Sequence, residues 1–159
     1  ARLEPAESTV AERRQLLKAL RDAGIPTVVT LGPVLPYLTD SLENLQALLA
    51  DCVDAKVYGV LLNGFGVTLR AGASAYFFSC LRELSPELPE AYEALLPPGK
   101  AGKNASFLSP NAEALAEFFE TSTAACGLVT DPEDLFAFRH AFQDRRGGQQ
   151  LSLFDLYDL

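Results

Sequence analysis

Apolar positions along this chain alternate between two spacings, and each change of spacing marks an element. Val10, Leu16, Leu17, Leu20 and Ala23 recur at helical spacing. Thr9 and Glu12 stand three apart, as in a capping box, with Ser8 the alternative N-cap, and Gly24 is a suitable stop. Residues 26–31 form a short run rich in β-branched side chains with little polar alternation, which predicts a strand buried on both faces. Gly32-Pro33-Val34-Leu35-Pro36 and the residues up to Asp40 predict a stiff loop. Asp40 and Glu43 then open a second amphipathic helix carrying Leu42, Leu45, Leu48, Leu49, Cys52 and Val53. Residues 57–62 read as a second buried strand, ending in Asn63-Gly64-Phe65-Gly66.

The second half follows a different pattern. Ala75, Tyr76, Phe77, Cys80, Leu81 and Leu84 predict a helix with an aromatic face, and residues 86–96 a short helix with Pro86 in its first turn. Residues 97–104 read as the most mobile loop. A long helix over 110–126 carries Leu115, Phe118 and Phe119 and closes at Gly127. Asp131 as N-cap, Pro132 as first helical residue and the acids Glu133 and Asp134 open a last helix through Phe142. From Arg145 onward a flexible tail is expected.

Two apolar strands joined by a helix predict a parallel, right-handed βαβ unit. Parallel strands need cover on both faces, and the first helix calls for a strand before it. The fold expected is therefore α/β: a partial (β/α) barrel fragment with parallel strands over residues 1–70, a mainly helical region over 71–144, and a tail over 145–159. The lack of any Met, position 1 included, is a minor sign in the same direction.

Composition narrows the function classes. Apolar residues make up 48% and charged residues 21%, an ordinary globular balance. No apolar stretch approaches the roughly 18–20 residues that cross a bilayer, and no signal peptide precedes the first helix. A net charge of −8 argues against direct nucleic-acid binding by this chain, which needs clustered Lys and Arg. Cys52, Cys80 and Cys126 are odd in number and widely spaced, which suits reduced thiols in a cytoplasmic protein rather than a metal site. The single histidine, His140, has no catalytic partner near it in sequence and reads as structural.

In an α/β barrel, chemistry collects where strands end and loops begin. Here those places are residues 32–36 and 63–66, and neither carries an acid, a base or a nucleophile. Their Gly and Pro content fits backbone lying close against a ligand, and equally fits ordinary strand-exit turns. Arg13 and Arg14, early on the first helix, could clamp a ligand carboxylate or simply form a solvated face. Glu4, before Pro5, could hydrogen-bond a ribose or an amine.

The order Leu3-Glu4-Pro5, Glu12-Arg13, Ala23-Gly24-Ile25-Pro26, Pro33-Val34-Leu35-Pro36 and Thr39-Asp40 resembles the later barrel strands of radical SAM proteins. The nearest group is the one similar to spore photoproduct lyase, often described as DNA-repair-photolyase-like. The likeness continues more loosely through Thr68-Leu69-Arg70, Tyr76-Phe77 and Ser109-Pro110-Asn111. It implies a partial barrel that binds a 4Fe–4S cluster and S-adenosylmethionine and forms a 5′-deoxyadenosyl radical. By the resemblance, Arg13, Gly32, Pro33, Leu35, Leu61 and Asn63 would touch the methionine or adenosine part of the cofactor. The family's cluster motif, CxxxCxxC, does not occur here. The expectation is thus the C-terminal half of such an enzyme, needing the N-terminal half of its own barrel as partner. Alone it would be inactive and would hold no cofactor.

Gln150, Leu151, Ser152, Leu153 and Phe154 look like the pentapeptide by which bacterial polymerases and repair proteins dock on the DNA sliding clamp. Leu153 and Phe154 would be apolar anchors, with Gln150 making directed hydrogen bonds. The alternative is a tail folded back over an apolar face of its own protein. A stand-alone interaction module working through that tail is the rival function. A complete small α/β enzyme is the third, and the lack of any acid–base or nucleophile constellation speaks against it.

Overall fold

A computed structural model describes residues 7–70, 72–96 and 105–140. Among these the chain is mixed α/β, with six helices and two short strand pairs, one of them parallel. Helix α1 (Val10–Asp22) starts at a complete capping box: the Thr9 side chain accepts from the Glu12 N–H, and the Glu12 carboxylate accepts from the Thr9 N–H. Strand β1 (Val28–Leu31), helix α2 (Leu42–Asp54) and strand β2 (Gly59–Leu62) follow, and β1 pairs parallel to β2 with Val28 opposite Gly59 and Leu31 opposite Leu62. Strand β3 (Gly66–Thr68), helix α3 (Ala73–Leu84), helix α4 (Leu88–Ala94), strand β4 (Ser106–Leu108), helix α5 (Ala112–Cys126) and helix α6 (Pro132–His140) complete the order. Among the described residues no helix is long and apolar enough to cross a membrane.

The chain builds two cores. In the first, Leu31 and Val60 of the parallel pair meet Leu45, Leu49 and Cys52 of α2, with Leu115 and Phe119 of α5 closing over them. The second is aromatic: the buried Tyr92 ring lies edge-on to Phe77, with centroids 5.4 Å apart, and beside Phe107 at the same distance. Strands β3 and β4 supply its floor in an antiparallel pair, with Thr68 opposite Ser106. Packing therefore crosses residue 70 in both directions, since β3 belongs with the second core and α5 with the first.

Several expectations need correction. Strand β1 is not buried on both faces: Leu31 is buried, Val28 and Val29 are half-buried, and Thr30 is exposed. The cause is its place at the edge of the described sheet, where β2 is its one neighbour. Helix α1 has a good apolar stripe, but none of its residues is fully buried: Leu17, packed on the first core, and Leu20 are half-buried, and Val10 and Leu16 are more than half exposed. Asp40 does not open α2. Ser41 caps that helix, accepting from the Asn44 N–H, and Asp40 is itself buried. Pro86 lies ahead of α4, whose first-turn proline is Pro89.

The sheet also gains a neighbour that hydrophobic spacing did not foretell. Val129 bridges to Gly59 in parallel fashion, with the Val60 N–H donating to the Val129 carbonyl at 2.8 Å. Glycine is required at 59 because a Cβ there would run into that carbonyl and into the Leu135 side chain of α6. A face-to-face stack of Tyr58 on Phe138, with centroids 3.7 Å apart, holds α6 to the same strand.

The link between the cores runs through Asp40. Its carboxylate accepts from the Ser109 hydroxyl at 2.6 Å, and its carbonyl accepts from the Asn111 side chain at 3.1 Å. Ser109 also donates its N–H to the Phe65 carbonyl and accepts from the Asn111 N–H, so one residue ties three segments together. Ser109→Ala would leave a buried carboxylate short of its donor. We expect thermal and urea unfolding of this variant to show a loss of about 2–3 kcal/mol, the cost of stranding a buried acceptor next to a charge. A loss below about 0.5 kcal/mol, the level of a surface substitution, would show that the link carries little.

Candidate functional site

The C-terminal ends of β1 and β2 open into a pocket of about 270 Å3. Gly32 and Pro33 form one wall, Leu62 and Phe65 the floor, and Arg13 of α1 stands at the mouth. Gly32 has φ +141°, a left-handed backbone setting that glycine alone adopts easily, and the Gly32–Pro33 bond is cis. A Cβ at Gly32 would lie 3.1 Å from the Asn63 Cβ, so the two strand exits abut with no room to spare. The Asn63 N–H extends the parallel ladder by donating to the Leu31 carbonyl at 3.0 Å.

Of the residues singled out from the sequence, Arg13, Gly32 and Pro33 come together in this pocket. Asn63 sits beside it and shares with Gly32 and Pro33 the lining of a second, wider groove. Leu61 and Leu35 line neither. Leu61 is a half-buried member of β2 opposite Thr30, and Leu35 turns away to pack on the aromatic core. The side chain of His140, residues 3–5 and the segment Gln150, Leu151, Ser152, Leu153 and Phe154 lie outside the described residues.

The two arginines of α1 have different settings. Arg14 reaches across to α2 and pairs with Asp51 at 2.6 Å, fastening the two helices. Arg13 stays half exposed, with Nε donating to the Ser8 hydroxyl at 3.1 Å and one terminal nitrogen 3.4 Å from the Glu7 carboxylate. Exposed pairs of that kind are worth about 0–1 kcal/mol, so a ligand anion can displace Glu7 at little cost. Thr39 and Asn44 also line the pocket and were not singled out as ligand contacts. Both are committed to the loop: the Thr39 hydroxyl accepts from the Leu35 N–H at 2.8 Å, and the Asn44 side chain donates to the Thr39 carbonyl at 2.8 Å. An asparagine three residues inside a helix carries no sequence signal for that role.

The pocket can bind but has little to react with. Among its lining residues there is no carboxylate, imidazole or thiol. Its volume falls below the roughly 300–1,000 Å3 typical of pockets that enclose a whole ligand, so it suits one end of an extended molecule. A cluster site is another matter. Cys52 is in the first core, Cys80 is buried in α3 and Cys126 is exposed at the end of α5. No three metal-ligating side chains gather among the described residues, so these cysteines do not fit an iron–sulfur cluster.

A protein of Mycobacterium tuberculosis described only as uncharacterized is 38% identical to this chain over 93 residues, which is 58% of this chain and 27% of the relative. Counterparts in a second M. tuberculosis strain and in Mycobacterium bovis match to the same extent. The chain thus covers little more than a quarter of the length of the curated relatives it matches. No family model and no solved structure matches it.

Burial, and then the neighbouring Asp51 charge, push the Cys52 thiol from its ordinary value of 9.0 up to about 11. Burial raises the Tyr92 phenol too, helped by the charge of Asp40. For both groups the folded chain holds the proton more tightly than the unfolded chain does. Their stability contribution is therefore complete below the unfolded value and is lost as pH climbs toward the folded one. For Cys52 this loss runs over about pH 9 to 11 and amounts to roughly 2–3 kcal/mol. Melting curves from about pH 8 to pH 11 should fall less steeply for Cys52→Ala than for the parent. Parallel curves would show that the thiol is not shielded. Tyr92 adds to the decline that both share at higher pH, because its phenol is held protonated in the folded chain.

Proposed function

We propose that this chain is the C-terminal part of a radical SAM barrel and supplies cofactor-pocket wall rather than cluster ligands. The observation that carries this reading is the pocket itself. It lies at the C-terminal ends of two parallel strands joined by a helix, where α/β barrels place their ligands, and it offers a guanidinium at its mouth and no catalytic side chain. The sequence resemblance supplies the identity of the ligand. Arg13 would meet the methionine carboxylate of S-adenosylmethionine, and Gly32 and Pro33 would lie against the body of the cofactor, with Asn63 beside them. Once reduced beside its cluster, the cofactor would supply the 5′-deoxyadenosyl radical that takes hydrogen from a substrate, with DNA repair the setting the resemblance suggests.

The N-terminal half of the same barrel is the partner this reading requires. Two features support it: β1 has a free edge among the described residues, and an apolar groove of about 300 Å3 runs past Val10, Leu16, Leu17 and Val29. A preceding strand would pair with that edge and fill the groove. A cytoplasmic, reducing setting would suit the cluster as well as the free thiols.

The test is made on the protein together with its upstream sequence, purified without oxygen. We expect bound iron and sulfide, a visible absorption band that dithionite bleaches, and a CxxxCxxC motif ahead of Ala1. Arg13→Ala should weaken S-adenosylmethionine binding about tenfold, the scale of one lost charge-assisted contact, with the melting temperature unchanged. Absence of iron and of the motif would overturn the reading.

A second reading, compatible with the first, rests on the pentapeptide Gln150, Leu151, Ser152, Leu153 and Phe154. The proposal is that it docks on the bacterial sliding clamp, which would bring the enzyme to DNA without a basic surface. Phe154→Ala should abolish binding to purified clamp in a titration, since paired apolar anchors carry most of such an interface. An unchanged affinity removes the docking role.

A further inference from the structure

Next to the strand-exit pocket, and sharing Gly32 and Pro33 with it, lies a wider groove of about 720 Å3 between the exit of β2 and the β3–β4 pair. That volume is within the roughly 300–1,000 Å3 of sites that take a whole small ligand. The character of the groove departs from that of the chain. The chain carries 21 acidic against 13 basic residues, yet the described lining of the groove holds one charge, Arg70, and no carboxylate. Arg70 is exposed, and its guanidinium forms no ion pair among the described residues. Its planar fork of N–H groups matches the oxygens of a carboxylate or a phosphate.

Two further donors stand in the same groove. Thr68 and Ser106 face each other across β3 and β4 with their hydroxyl oxygens 2.8 Å apart. Such a pair has two protons and uses one between its members, so the other is left for a third acceptor. Asn63 adds an exposed carboxamide at the β2 rim. Pro33 and Val67 add apolar surface. Phe65 and Phe107 are buried beneath it, and Leu108, on the same face of β4 as Ser106, stands 66% exposed at its edge. Donors on one side and an apolar edge on the other describe a ligand with an anionic end and an apolar body.

We infer that this groove binds an organic anion, a carboxylate or a phosphate ester on an apolar body. Arg70 holds the anionic oxygens, the Thr68–Ser106 pair donates its spare proton, and Leu108 covers the body. The site goes beyond the cofactor reading: the two share Gly32 and Pro33, with Asn63 beside them, but Arg70, Thr68, Ser106 and Leu108 take no part in the pocket at Arg13. Arg13→Ala leaves it intact.

The experiment titrates phenyl phosphate, benzoate and benzyl alcohol into the 15N-labelled 159-residue chain and follows the backbone amide resonances. Phenyl phosphate or benzoate should shift Thr68, Arg70 and Ser106, and the tighter of the two identifies the phosphate or the carboxylate class. Benzyl alcohol, which lacks the charge, should bind at least about tenfold more weakly. Arg70→Gln should weaken the anion about tenfold or more with its melt unchanged, since the Arg70 side chain makes no ion pair among the described residues, and Arg70→Lys should restore part of the affinity. Thr68→Val gives a second, independent loss at the hydroxyl pair. The inference is overturned by shifts confined to other regions or by no binding of either anion. It is overturned equally by an Arg70→Gln chain that binds like the parent, or by benzyl alcohol binding as tightly as benzoate.

Discussion

Asp40 has almost no water around it, and the Ser109 hydroxyl is the group that answers its charge. A buried carboxylate tolerates few arrangements, because any movement that lengthens its hydrogen bond exposes the full cost of desolvation. The loop that ends at Asp40 and the turn that begins α5 are therefore fixed to each other across 69 positions of sequence. The strand exits inherit that restraint. Phe65 hands its carbonyl to the Ser109 N–H, and residues 32–39 run directly into the anchored carboxylate.

The same loop is shared between the two cores. Val34 packs on the first, while Leu35 and Leu38 pack on the second, and the Tyr92 hydroxyl donates to the Pro36 carbonyl at 2.7 Å. A segment held from both sides keeps its backbone in place without regular secondary structure, and this gives the pocket a stiff wall. It also explains Leu35. Loop position suggested a ligand contact, but an apolar side chain beside an aromatic cluster gains more by burial than by facing a ligand. The pocket keeps the backbone of the loop, and the second core takes its side chains.

Much of the framework was legible because it is local. The capping box at Thr9 and Glu12, the glycine stop at Gly127 and the acidic opening of α6 each depend on residues within one turn. The parallel strand pair followed from two apolar runs flanking one helix. What escaped was non-local or three residues long. Strands β3 and β4 are too short to show alternation, and their partners lie 38 positions apart at Thr68 and Ser106. The Val129 bridge is a single residue whose trace in the sequence was a glycine at 59. Asp40 misled because an acid ahead of an apolar helical run has the pattern of a cap, and the residue after it could cap equally well. In the pocket, the glycine and proline positions were readable from strand ends. Thr39 and Asn44 were not, since their partners are backbone groups that spacing does not reveal.

The order in which these pieces can close follows the direction of synthesis. The parallel pair and α2 are complete in the chain by Leu62, and this unit needs nothing later to form its ladder. The closures made by β3, α5 and Val129 wait. Strand β3 emerges long before β4, α5 must arrive before Leu115 and Phe119 cap the first core, and Gly59 meets Val129 after that. On the ribosome, then, the apolar faces of a βαβ unit formed at this point would have no cover from α5 until residues 112–126 emerge. Such an intermediate invites wrong strand partners. The four-residue length of β1 and β2 limits that hazard, because so short an edge offers a stray chain few hydrogen bonds to hold.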